Sequence, residues 1–339
     1  MADERKRTYC PDCEGGVDRR HFLATVGGAA LAAGSVSLLG NARRAEAAPS
    51  PSSKAETTVK ALYGTLTDSQ KKVVVLPWAD ERRTKINANW MITEPEIASD
   101  FYTNEQRDLA DKVFRGVTSG DGYEKFQKQM KEDDGGFGNY SMAFFGTPDS
   151  GKFEWELTGR HLTIRADGNS TEGAAFGGPI IYGHGTGDSV PGLPGNVFYD
   201  QVKKANELYQ ALDGKQRRAA LLDRAPTENA VLVQGKDGKF PGLAGGELSA
   251  DQKELLEQTI KIMLAPYREE DVKEAVAVVK AGGGLDKLRL SFYKTDADGD
   301  PDLGEDGEWE VWRVEGPTFV WHFRGAPHVH TYVNITTKV

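Results

Sequence analysis

Cysteine is nearly absent from this chain: there are two in 339 residues, Cys10 and Cys13, both close to the N-terminus. Both precede a cleavage pattern of an export signal, so the exported chain would hold none. Disulfides, iron–sulfur clusters, thiolate metal sites and cysteine nucleophiles are then excluded together. Cys10-Pro11-Asp12-Cys13 is also a lone CxxC with no second pair, so four-coordinate zinc cannot be completed there. Basic blocks are missing as well. Lys and Arg number 42 against 51 Asp and Glu, a net charge of −9, and neutralising phosphates needs clustered cations, so no nucleic-acid partner is expected. No apolar run has the roughly 20 strongly apolar residues of a membrane span, so no stable span is expected after cleavage. No GxGxxG or Walker loop follows a strand pattern, and no GxSxG elbow is present, which disfavours nucleotide and serine-hydrolase chemistry. Histidine, carboxylate, hydroxyl and arginine are what remain for a site.

The first 47 residues read as a twin-arginine signal peptide. Arg19-Arg20 is followed by an Ala/Gly-rich apolar stretch from Leu23 to Leu39, then Arg43-Arg44 and the small-residue pattern Ala45-Glu46-Ala47. A periplasmic or extracellular location follows, with the twin-arginine translocase as a partner during export. That route carries folded proteins, which raises the expectation of a bound metal or cofactor. Residues Pro49 to Thr57 are polar and aperiodic, so 48–60 is expected to be a disordered linker and 61–339 a single α+β domain or two interleaved lobes.

Four segments place Thr, Asp or Ser three residues before Gln: Thr67/Gln70, Thr103/Gln106, Asp213/Gln216 and Ser249/Gln252. This is capping-box spacing, in which the two side chains satisfy free N–H groups at a helix start, and it predicts at least four such starts. Equal intervals within the two pairs hint at related helical pairs, but the intervening sequences do not match well enough to establish a repeat. Strand patterns fall in two clusters, Tyr140 to Tyr182 and Leu288 to Thr336, with short turns between successive members. The expected fold is therefore α+β, with antiparallel sheet carrying packed helices.

All five histidines beyond the signal lie on or beside strand patterns. In His328-Val329-His330, alternation puts His328, His330, Tyr332 and Asn334 on one face and Val329, Thr331, Val333 and Ile335 on the other. The second face is apolar and belongs in the core, which leaves two imidazoles adjacent on the polar face, within reach of one cation. His161 follows a Thr-Gly turn and is read on the polar face of its strand, where it would complete a three-histidine site. Glu154 and Glu156 are expected nearby as ligand or base, and Arg160 as the group that orients an anionic part of the substrate. His184, in a glycine-rich loop, is a candidate fourth ligand, and His322 a weaker one. The run Asp296 to Asp302 lacks the glycine and glutamate positions of an EF-hand and reads as an acidic hairpin loop.

The twin-arginine leader, the segment WELTGRH from Trp155 to His161, Gly177-Gly178-Pro179 and Pro327-His328-Val329-His330 together resemble the bacterial domain-of-unknown-function family numbered thirty-five hundred, over roughly Ala61 to Val339. The resemblance supports His161, His328 and His330 as one constellation and leaves the reaction open. The expectation is an exported metal-dependent enzyme acting on a small molecule: an oxidoreductase if the ion is copper or iron, a hydrolase if it is zinc. A non-catalytic binding protein for a metal or small ligand is the alternative.

Overall fold

A computed structural model describes residues 48–149, 151–185, 195–302 and 307–338. The leader, with Cys10 and Cys13, and the glycine-rich loop beyond Gly185 lie outside the described residues. Eight α-helices and eleven strands are described: α1 (Lys54–Thr65), α2 (Asp68–Val74), α3 (Asn104–Val117), α4 (Gly120–Asp134), α5 (Asp200–Gln210), α6 (Gly214–Ala220), α7 (Ala250–Leu264) and α8 (Glu269–Ala281), with β1 (Val75–Leu76), β2 (Ser141–Gly146), β3 (Phe153–Gly159), β4 (Leu162–Ala166), β5 (Ile180–His184), β6 (Leu221–Arg224), β7 (Leu243–Ala244), β8 (Arg289–Thr295), β9 (Val311–Gly316), β10 (Phe319–Arg324) and β11 (Val329–Ile335). All strands join one sheet in the order β1-β2-β3-β4-β5-β11-β10-β9-β8-β6, with β7 beside β8. It is antiparallel except for β1 on β2 and β6 on β8. The fold is α+β, as the short turns imply, with two parallel edge strands that the sequence pattern did not reveal. No helix among the described residues is long and apolar enough to cross a membrane.

The four capping boxes all form, and their glutamines do more than cap. Gln70 and Gln106 exchange two amide hydrogen bonds (2.9 and 3.0 Å), and Gln216 and Gln252 do the same (2.9 and 2.8 Å), with a separation of 36 residues in each case. Around each pair the elements recur in order: two helices, a parallel edge strand, a long connection, two helices, four antiparallel strands. The β3–β4 hairpin pairs Trp155 with Ala166 and Glu156 with Arg165, and the β9–β10 hairpin pairs Trp312 with Phe323 and Arg313 with His322. Each closes through two residues, Arg160-His161 and Pro317-Thr318. The halves also bond each other reciprocally, Ser119 N to Pro266 O (2.9 Å) and Arg268 N to Val117 O (3.2 Å). The fold is thus an internal duplication about an axis near the central Ile180↔Val333 pair of β5 and β11. What the sequence spacing only hinted at is a repeat of structure, conserved in caps and register rather than in residues.

One face of the sheet carries the apolar side chains of both hairpins, including Trp155, Trp312, Trp321, Phe319 and Phe323, buried in one core with the helices. These tryptophans fill the core rather than line a pocket. The other face is covered by the two long connections, whose Ala88, Val231 and Val233 pack on Ile181, Val320 and Tyr332. Residues 48–60 are not the disordered linker expected. From Lys54 the chain is helical, with Ala55, Val59 and Leu62 buried along one stripe, a helical period masked by the neighbouring Pro/Ser run. Glu56 on this helix is fully buried and paired with Arg268 (2.6 Å).

Candidate metal centre

Alternation along β11 turns Val329, Thr331 and Val333 into the core and leaves His328, His330 and Tyr332 on the covered polar face. Across the centre of the sheet His330 lies opposite Gly183 of β5. A Cβ at Gly183 would stand 2.3 Å from Val329 O and 3.4 Å from the Cβ of His161, so the glycine leaves the space that the third imidazole enters. His161 itself is not on a strand. It is the second residue of the two-residue β3–β4 turn, with φ +58°, a left-handed conformation that costs a non-glycine residue about 1–3 kcal/mol. Main-chain bonds to Ala88 O (2.6 Å) and from Gly183 N (3.0 Å) hold it there.

The three rings converge. Their centroids are 4.6–4.9 Å apart, and one nitrogen from each lies within 4.8 Å of the others. His328 Nε2 and His330 Nε2 are 2.9 Å apart. Tetrahedral nitrogens at bonds of about 2.0–2.1 Å stand about 3.3 Å from one another, so small ring movements bring the set onto one ion. The trio could hold a metal.

Two carboxylates, Asp133 with its side chain buried and Glu228 half-buried, orient two of the rings. Asp133 at the end of α4 accepts from His161 Nδ1 at 2.7 Å, which leaves His161 Nε2 facing inward. Burial works to raise the Asp133 carboxyl, but bonds from His161, Gln129 and the Gly185 N–H outweigh it and hold it below its usual range. Glu228, from the connection after β6, accepts from His330 Nδ1 at 2.9 Å and from Tyr332 OH at 3.1 Å. Burial opposes its charge too, yet His330 and Arg324 bring it down to about 2. Arg324 Nη2 stands 2.6 Å from the same His330 nitrogen, so carboxylate and guanidinium compete for it. An ion on Nε2 requires the Nδ1–H tautomer and favours Glu228. Burial, together with neighbouring imidazoles and Arg324, pushes His328 down to about 3 and His330 to about 4. At neutral pH both are uncharged, the form that ligates.

A family model described as protein of unknown function (DUF3500) matches residues 48–337. The chain belongs to that family. No curated protein and no solved structure matches the chain. The family match begins at Ala48 and so takes in the N-terminal helix, whereas the resemblance in the sequence began near Ala61.

Of the residues expected at the site of this family member, His161, His328 and His330 come together and the others divide. His184 does not join them: it ends β5 with its ring fully buried, Nε2 donating to Glu132 (2.8 Å) and Nδ1 accepting from Val197 N (3.0 Å). Both nitrogens are engaged, so it is a structural histidine, and burial lowers its basicity. Glu154 and Glu156 are also elsewhere. Both are fully buried and bind Arg165 Nη1 at 2.6 and 2.7 Å, and Glu156 sits about 10 Å down the hairpin from the turn at 3.3 Å per residue. Burial pushes both carboxyls up against the pull of Arg165. Arg160 does flank the site: its Nη2 borders Gly185 together with Asp133 Oδ1 and His161 Cε1. His322 is buried one strand away and is lowered to about 3 by burial and by Arg313. Asp296 closes the acidic hairpin by accepting from the N–H groups of Asp298, Gly299 and Asp300, each at 2.9 Å. Sequence reasoning missed Asp133, one of several acids in its run, and Glu228, which no spacing signal marks. The glycines flanking His184 matter for the neighbouring site instead: a Cβ at Gly185 would stand 2.9 Å from Asp133 Oδ1 and 3.1 Å from His161 Cε1.

Proposed function

We propose that this protein is an exported metal-dependent enzyme in which His161, His328 and His330 hold one transition-metal ion. The observation that carries the reading is three imidazole nitrogens within 4.8 Å of one another, two of the rings oriented through Nδ1 by carboxylates. Such second partners fix the tautomer and raise ligand basicity at metal sites. An all-nitrogen, thiolate-free set suits copper, zinc or iron, and three protein ligands leave a further position for water or substrate. When bound, the ion would supply either an activated water or a redox couple. The chain's own residues define the rest. Asp133 and Glu228 hold the protons on Nδ1, and Arg160 on the rim faces an anionic group of a small substrate. Export by the twin-arginine translocase to the periplasm or beyond is part of the proposal and rests on the Arg19-Arg20 leader.

Metal analysis of untagged, exported protein tests it. About one equivalent of a single transition metal is expected, lost in the His328→Ala/His330→Ala double variant. Less than about 0.2 equivalents, or full content in that variant, refutes the site.

A further inference from the structure

The duplicated halves treat one equivalent niche differently. In the first half, on the sheet face covered by the long connections, Arg165 fills the space beside the β3–β4 hairpin, bound to Glu154 and Glu156, and Arg83 reaches in from the connection after β1 to Glu154 (3.4 Å). In the second half the register sets His322 where Arg165 stands and Val311 where Glu154 stands. Glu228 reaches in from the equivalent connection after β6. The second niche is left as a cavity of about 480 Å³, lined among others by Ala88, Glu228, Val311, His322, Arg324 and Tyr332. That size falls in the range of about 300–1,000 Å³ of small-molecule sites. Because fully buried Arg165, Glu154 and Glu156 occupy the equivalent positions in the other half, the cavity is not forced by the fold.

Its chemistry is selective. His322 is 1% exposed, and its Nδ1 has no hydrogen-bond partner among the described residues. A buried polar atom left in that state is costly, and a ligand hydroxyl would relieve the cost. Glu228 and Arg324 form an ion pair and cancel in charge. Asp296 and Asp298 at the rim then make the surroundings negative, which disfavours an anionic ligand. Asn87 and Asn89 at the mouth offer amides that both donate and accept, and Ala88 and Val311 give an apolar wall. Hydroxyl groups, themselves donor and acceptor, match this lining.

We propose that the cavity binds a small neutral polyhydroxylated molecule of sugar size, with one hydroxyl on His322 Nδ1 and another on the Glu228–Arg324 pair. The ligand site is not the histidine trio: His161 and His328 are not in the cavity wall, and His330 lies there beside Glu228 and Arg324, the partners of its Nδ1. The inference therefore does not rest on the metal reading, although His330 and Glu228 belong to both.

Calorimetric titration of the purified protein with glucose, N-acetylglucosamine, cellobiose and myo-inositol, and with glucuronate as the anionic match, tests this. At least one neutral probe is expected to bind saturably, and glucuronate at least about tenfold more weakly than glucose. Asn87→Trp, at an exposed rim position, plugs the mouth and should weaken that binding at least about tenfold; His322→Phe, which keeps a ring and removes its nitrogens, should do the same. His328→Ala should leave it unchanged. The proposal is overturned if no neutral probe binds at about 10 mM, if glucuronate binds more tightly than glucose, or if Asn87→Trp binds as well as the unaltered protein. Loss of binding in His328→Ala would also overturn it, by assigning the ligand to the histidine trio.

Discussion

Replacing Asp133 by Asn exchanges one oxygen for an NH2 group and removes a charge, yet no orientation of the new side chain satisfies its three partners. Asp133 Oδ2 accepts from His161 Nδ1 and Gln129 Nε2, each at 2.7 Å, and Oδ1 accepts from Gly185 N at 2.7 Å. With the amide oxygen toward His161, the NH2 faces the Gly185 N–H, and a buried donor is left unpaired at about 1–3 kcal/mol of stability. With the NH2 toward His161, it donates to Nδ1, forces the proton onto Nε2 and removes the lone pair an ion would use. The first orientation keeps the tautomer but loses the carboxylate charge that raises the ring's basicity, the second loses the lone pair, and losses of carboxylate partners at metal sites run to about 10–100-fold in affinity, or about 1.4–2.8 kcal/mol. Competition titration of zinc and copper against a chromophoric chelator at pH 7.5, beside a thermal melt to show folding, is the assay. A folded Asp133→Asn variant that binds metal within twofold of the unaltered protein would refute the argument that Asp133 sets the His161 tautomer.

Two further perturbations probe the frame. Burial and the nearby Asp167 and Asp271 charges raise Glu274 to about 8, and its Oε2 is buried without a hydrogen bond among the described residues. A folded-state pKa above the unfolded one of about 4.3 means the group favours folding while protonated, and this is lost as pH rises from about 4 through 8, with a ceiling of about 5 kcal/mol. Glu274→Gln should match the unaltered protein in melting temperature at pH 5 and exceed it at pH 9; an equal difference at both pH values contradicts the assignment. Gln70→Ala and Gln216→Ala remove equivalent buried amides, each bonded to its partner glutamine and to its own helix N-cap. Each should cost about 2–4 kcal/mol in urea unfolding, with additive effects in the double variant because the halves share no partner there. Costs that differ by more than about twofold would speak against structural equivalence.

What could be read from the sequence was what depends on near neighbours. The capping boxes formed because Thr, Asp or Ser and Gln meet within one helical turn. The HxH pair was legible because alternation along a strand is local and the apolar set Val329, Thr331 and Val333 decides which face is buried. His161 was assigned to a strand because Leu162 and Ile164 continue the alternation, whereas the chain turns at Arg160-His161 with a left-handed residue. Alternation placed Glu154 and Glu156 on the correct face but says nothing of distance along the hairpin, and Arg165, directly across from Glu156, takes them. The Asp133–His161 and Glu228–His330 pairs join residues 28 and 102 positions apart, and in a chain with 51 acids no local pattern marks the two that matter.

The duplication explains why the candidate site occurs once. His161 comes from the hairpin turn of the first half, and His328 and His330 come from the last strand of the second, so the trio exists only because β5 and β11 pair across the centre of the sheet. The turn equivalent to His161 carries Thr318, whose hydroxyl donates to the Val278 carbonyl at 2.9 Å and offers no imidazole. The orienting carboxylates divide the same way, Asp133 from α4 of the first half and Glu228 from the second-half connection. An ion on the three nitrogens would therefore bridge the halves, and part of its binding free energy would appear as stabilisation of their junction. A duplicated frame gains from such an arrangement what neither half holds alone: the candidate ligands come from both halves and meet where β5 and β11 pair.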